Sequence, residues 1–162
     1  QAFQIDQFYL FMPFNVLSIV YFSYFFLVDY QNNLNKYFLY GISFLTMLVI
    51  TYIQLETPII KIDTRIFVAL VLFFLLISLQ WLLYIINHID EENITQKQAF
   101  WVSVALIIWS VFALFRLFLN QWLYDYDRDI FSIIAYLFNI ANITMYLFFI
   151  QGLRVKKKKK IA

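Results

Sequence analysis

At 162 residues, with 64% hydrophobic and only 14% charged side chains, the chain lies far outside the composition of soluble domains. The lack of cysteine excludes disulfides, thiol chemistry and iron–sulfur ligation, and a single histidine excludes a haem held by two histidines of this chain. Its net charge of +2 comes largely from one lysine run, Lys156 to Lys160, so no basic surface suited to nucleic acid is formed.

Five long apolar runs follow one another, which predicts an all-α integral membrane protein, a bundle of five transmembrane helices in a single membrane domain, 1–162, with no soluble domain. In lipid a backbone must satisfy its own hydrogen bonds, and these continuous runs lack the turn punctuation of barrel hairpins. The first residues, 1–7, carry no initiating Met, Arg-rich leader or small-residue cleavage site. They read as a processed end, a trimmed end, or a protein made without a cleaved leader.

Span one is expected at 8–28, with Pro13 in its first turn, where a missing N–H costs little. Asn15, Ser18 and Phe22 share a face, and their polar groups are best placed toward neighbouring helices. A short polar loop leads to span two at 37–54, whose polar-leaning stripe is Ser43, Thr46, Ile50 and Gln54. Gly41 is the one glycine inside any expected span, so the sequence predicts helices meeting through bulky side chains at wider separation. The loop at 55–65 mixes both charge signs around Pro58.

Span three, 66–86, reads as the most lipid-like, broken only by Ser78 and Gln80, with Trp81 and Tyr84 marking its far interface. The longest polar connection, 87–98, carries His88, an acidic Asp-Glu-Glu and the glycosylation-type triplet Asn93-Ile94-Thr95. Span four, 99–119, contains the chain's one clearly intramembrane formal charge, Arg116. The acidic turn after it holds Asp125, Asp127 and Asp129, and span five, 130–150, leads to a basic tail at 151–162.

Candidate sites are few. Arg116 reads as a snorkelling side chain paired with the acidic turn, and in the competing reading as an anion, substrate or proton-path residue. The acidic turn is not a calcium loop, because Ile130 stands where glycine is needed and Tyr136 where glutamate is needed. His88 reads as an interfacial polar residue. Span five has the best internal polar stripe, Ser132, Tyr136, Asn139 and Tyr146, with Asn142 a turn from Asn139. Its expected role is interhelical hydrogen bonding, with a quinone or substrate cleft as the alternative. Gln80, Arg116, Tyr136, Asn139 and Asn142 are therefore the intramembrane polar candidates. Arg154, Lys156, Lys157, Lys158, Lys159 and Lys160 are the candidate contacts for anionic lipid headgroups, each worth about 1 kcal/mol near the surface.

No Asp or Glu falls inside an expected span, no inverted repeat is visible, and no nucleophile–base or metal-ligand constellation appears. The expectation is a non-catalytic subunit of a larger membrane complex, with no catalytic residue, cofactor or metal of its own. Its partners are membrane lipids and other membrane subunits. An energy-converting assembly, a respiratory complex or ATP synthase, is the favoured setting. The residues encoded by A/T-rich codons are abundant, which fits some bacteria and many organelles equally well; the mitochondrial inner membrane is favoured over a bacterial one. The basic tail places the C-terminus on the matrix or cytoplasmic side. The alternatives are a small bacterial transporter or channel using Arg116 and the span-five stripe, and a membrane sensor region.

Overall fold

The computed structural model describes residues 2–56, 63–88, 93–126 and 128–155, and side chains within 11–56, 63–88, 93–119 and 130–155. Five α-helices account for nearly all of it: α1 (Ala2–Leu27), α2 (Asn33–Glu56), α3 (Thr64–Asn87), α4 (Gln98–Tyr126) and α5 (Arg128–Arg154). One 3₁₀ turn, Ile94–Gln96, precedes α4, and no strand occurs among the described residues. α2, α3 and the segments Gln98–Leu119 and Ile130–Arg154 are long and apolar enough to cross a membrane, and a shorter apolar segment, Phe11–Leu27, lies in α1.

Helix ends follow the local chemistry. The Asn32 side-chain oxygen accepts from the Leu34 N–H at 3.0 Å and so caps α2. Asp63 does the same for α3, accepting from the Arg65 N–H at 2.8 Å. At the far end of α3 the His88 ring stacks on Tyr84 with centroids 4.5 Å apart, and its Nδ1 lies 3.0 Å from the Tyr84 carbonyl. A carbonyl only accepts, so this contact needs a proton on Nδ1. His88 therefore closes a helix end, in line with its reading as a polar residue there.

α1 begins earlier than expected, and this moves Pro13 from a first turn into a helix interior. There it removes one hydrogen bond to the carbonyl four residues back, a defect that membrane helices tolerate when neighbours compensate. Asn15, Ile19 and Phe26 form the buried face of α1, and Leu39, Thr46, Ile50 and Ile53 that of α2. Of the polar groups assigned to these two helices, Asn15 and Thr46 are buried, and Ser18, Ser43 and Gln54 are half-buried.

Contacts divide the chain into two compact units, Gln1–Phe73 and Phe74–Ala162, with the boundary inside α3. In the first, α1 and α2 are held by Ser23 and Ser43, whose hydroxyl oxygens are 2.7 Å apart. Each hydroxyl also reaches the carbonyl four residues back, Ile19 at 2.6 Å and Leu39 at 2.7 Å. Two protons serve three contacts, so one serine donates across the pair while the other donates to its own helix. In the second unit α4 and α5 share the most extensive helix–helix contact among the described residues.

α3 reverses an expectation. Its mean hydropathy, 2.7, is the highest of the four spans, yet it has the largest buried share, 44%. Ile66, Leu70, Val71, Phe73, Phe74, Ile77, Trp81, Tyr84 and Ile85 are all buried. Among its large hydrophobic side chains only a line at i, i+4, i+7, i+11 and i+14 stays exposed, Leu72, Leu76, Leu79, Leu83 and Ile86. Trp81, read as an interfacial marker, is 0% exposed. Lipid tails and protein interiors are about equally apolar, so apolarity alone does not separate a buried membrane helix from a lipid-facing one.

Candidate functional site

The chemistry-bearing residues that converge do so between α4 and α5. Arg116, Trp109 and Trp101 fall on one side of α4 at spacings of seven and eight residues, with Ala105, fully buried, between the tryptophans. This side meets Phe138, Asn142, Phe148 and Gly152 of α5, running in the opposite direction.

Three contacts define the seam. The Trp109 indole N–H donates to the Asn142 amide oxygen at 2.7 Å, a side-chain bond joining the two helices. The Arg116 guanidinium sits over the Phe138 ring, 4.7 Å from its centroid, a cation–π geometry. Trp101 packs on Phe148 with centroids 5.9 Å apart, while its N–H donates to the Thr95 carbonyl at 2.9 Å. Trp109 also lies within 6.3 Å of the Phe138 ring and 6.2 Å of Phe74.

Close approach here depends on small residues. A Cβ on Gly152 would stand 3.3 Å from the Trp101 Cβ and 3.4 Å from the Gln98 carbonyl oxygen. Gly41, by contrast, has nothing within 4 Å of its virtual Cβ. The glycine that permits close packing is thus the one just beyond the expected end of span five, because α5 continues to Arg154. A second face of α4 is also built of small residues. Ala99, Ser103, Leu106, Ser110 and Ala113, at alternating spacings of four and three, are each at most 3% exposed. Alanine and serine here supply the small-xxx-small pattern that a search for glycine alone overlooks.

Of the intramembrane candidates, Arg116 and Asn142 belong to the seam, and Phe138 and Trp109 are the partners that sequence reasoning missed. The signal was available: Trp109 is seven residues from Arg116 and Phe138 four from Asn142, both helical same-face spacings. Asp125, Asp127 and Asp129, the expected partners of Arg116, have side chains outside the described residues, as do Lys156 to Lys160 of the tail. Gln80 is half-buried on α3, and Arg154 is exposed in the last turn of α5.

The rest of the span-five stripe lies elsewhere. Ser132 and Asn139 are exposed, as are Tyr136 at 70% and Tyr146 at 61%. On a helical wheel these four gather within about 80° of arc, opposite the side carrying Phe138, Ala141, Phe148 and Gly152. The stripe is therefore split: Asn142 is used against α4, and Tyr136, Asn139 and Tyr146 face away from it.

Several buried hydroxyls and amides have no hydrogen-bond partner among the described residues. Asn15, with both amide atoms, and Ser78, Ser103 and Ser110 are each 0% exposed and unpaired among the described residues. No group of three or more potential metal ligands occurs among the described residues. The outer polar contacts are simple by comparison. Arg65 makes two bonds to Asp63 Oδ2, at 3.0 and 2.8 Å, and reaches Glu56 at 3.5 Å, tying the end of α2 to the start of α3. The Arg65 side chain, and then its backbone N–H, hold the Asp63 carboxyl below the usual carboxylate range.

The described residues are all helical outside short connections, and four segments are long and apolar enough to cross a membrane. No family model, no curated protein and no solved structure matches it.

Proposed function

We propose that the chain is a non-catalytic, integral membrane subunit of a larger hetero-oligomeric membrane assembly. The observation that carries this reading is α5: only 11% of its apolar window is buried within the chain, and its exposed side mixes polar groups with large hydrophobics. Apolar surface on this scale is incompatible with water. Lipid suffices for the leucines and isoleucines, whereas an exposed asparagine within a span calls for a protein partner. Arg116 supports a structural role, since its guanidinium is occupied by the Phe138 ring at the α4–α5 seam.

An energy-converting complex of the mitochondrial inner membrane is the setting we favour, on the A/T-biased composition of the chain. The basic tail then lies on the matrix side, against anionic lipid headgroups. Solubilisation in mild detergent followed by native mass measurement tests the assembly reading. The expected result is co-migration with other subunits at a fixed ratio, and a stable monomer or homo-oligomer overturns it. Orientation is tested by single cysteines in this cysteine-free chain. Asn33→Cys and Asn93→Cys are expected to label from the same side as the tail, and Thr64→Cys and Tyr126→Cys from the opposite side.

The transporter reading rests on Arg116 and is separated by one substitution. Lysine keeps the charge and much of the stacking but loses the planar fork. Arg116→Lys leaves assembly intact in both readings, and turnover lost in an intact assembly would promote the transporter.

A further inference from the structure

We infer that the outward side of α5, along Tyr136, Asn139, Ile143 and Tyr146, is the docking line for a transmembrane helix of a different subunit, one that presents a hydrogen-bonding side chain at the depth of Asn139. The inference rests on the accessory-subunit reading and specifies which surface makes the contact.

The argument begins with position. Asn139 is roughly 14 Å along the helix axis from Ile130, where the apolar segment opens, at 1.5 Å per residue. That depth lies within the hydrocarbon layer, about 30 Å thick. The Asn139 side chain is exposed and forms no hydrogen bond with any described residue. An amide with two donors and an acceptor cannot be satisfied by acyl chains, and at this depth water is not the alternative.

Periodicity is the second support. Tyr136, Asn139, Ile143 and Tyr146 recur at three, four and three residues, the spacing of a helix seam, and Tyr136, Ile143 and Tyr146 are each more than 60% exposed. The tyrosines stand about 15 Å apart along the axis and flank the amide, each with a rigid ring and a polar tip.

The contrast with α2 is the third. Its exposed side is Phe44, Leu45, Leu48, Val49 and Tyr52, and the hydroxyl of neighbouring Thr51 donates to its own helix, at the Met47 carbonyl, 2.8 Å away. Thr144 on α5 is satisfied in the same way by the Ile140 carbonyl. The exposed Asn139 amide makes no such bond to its own helix, so it is left to a partner outside the chain.

A photo-reactive amino acid placed singly at Tyr136, Ile143 or Tyr146 of the full chain, in native membranes, tests this. Ile133 and Leu48, both exposed and off the line, serve as controls. The expected result is one shared protein adduct, larger than this chain and distinct from it, at the three line positions and at neither control. Asn139→Leu should lower the adduct yield at Ile143 by roughly threefold or more, and Asn139→Gln should largely restore it. Adducts with a second copy of the chain, lipid adducts alone, or equal yields at line and control positions would overturn the docking line. Each of those results in a complex of unchanged native mass leaves the accessory-subunit reading standing. Loss of every other subunit in the native mass measurement removes that reading itself.

Discussion

α3 and α5 invert what their sequences suggest. α3 is the most apolar span and the most buried, while α5 carries the clearest polar line and buries only 11% of its window. In water this ordering would follow directly, because apolar surface is driven inward. Between lipid and protein that drive is nearly absent, and the sorting falls to packing shape and unsatisfied hydrogen bonds. α3 buries Phe73, Phe74, Ile77 and Trp81, with Phe74 against the Trp109 ring. α5 spends one polar group, Asn142, on α4 and holds the rest out.

Truncating the buried centre of α3 should have the largest effect. Trp81→Ala is expected to cost about 3–5 kcal/mol, the range for a large buried aromatic. Tyr146→Ala on the exposed side of α5 should stay within about 0.5 kcal/mol in the detergent-solubilised chain. Equilibrium unfolding of both variants checks the pair, and equal losses would break the comparison. The glycines form a second pair. Gly152→Leu should cost about 1–3 kcal/mol by forcing Trp101 and Gln98 away, whereas Gly41→Leu, which meets open space, should be nearly silent.

The seam itself should respond on a smaller scale. Trp109→Phe and Asn142→Leu should each destabilise modestly. Their coupling in a double-mutant cycle should be about 0.6–1.7 kcal/mol, the scale of interhelical hydrogen bonds in lipid. A coupling near zero would mean the 2.7 Å contact is replaced at no cost. Arg116→Leu should lose about 0.5–2 kcal/mol through Phe138, with Arg116→Lys losing less.

The smallest expected effect is electrostatic and lies outside the spans. Because the folded state holds the Asp63 carboxyl low, its contribution to stability is complete above the ordinary carboxylate pKa. It is lost as pH falls through the lowered value. Carbon NMR of a labelled Asp63 carboxyl should show that depressed midpoint, and Arg65→Ala should return it toward the ordinary value.

Much of the helical plan was legible in order and type. Five apolar runs became five helices, displaced at their ends by a few residues because amphipathic turns such as Gln98 and Arg154 extend them. The inward stripe of α2 was also readable, since Thr46 and Ile50 lie on one side at helical spacing and are buried. The seam was half legible: Arg116 and Asn142 stood out as polar residues in apolar runs, but aromatic partners are hidden among 20 Phe and four Trp. Ser23 was not singled out, and Ser43 only as part of the α2 stripe, because a serine in a helix can satisfy itself on the preceding turn and gives no sign that it also bonds across.

The sequence alone determined that the chain is helical, how many long apolar segments it has, and which side chains carry charge or hydrogen-bonding capacity, because backbone satisfaction in an apolar setting leaves few alternatives. Which side of each helix is covered was decided only in three dimensions. Burial in a chain this apolar is set by the fit of side chains such as Gly152 under Trp101 and Phe138 under Arg116, and that fit exists only between helices distant in sequence.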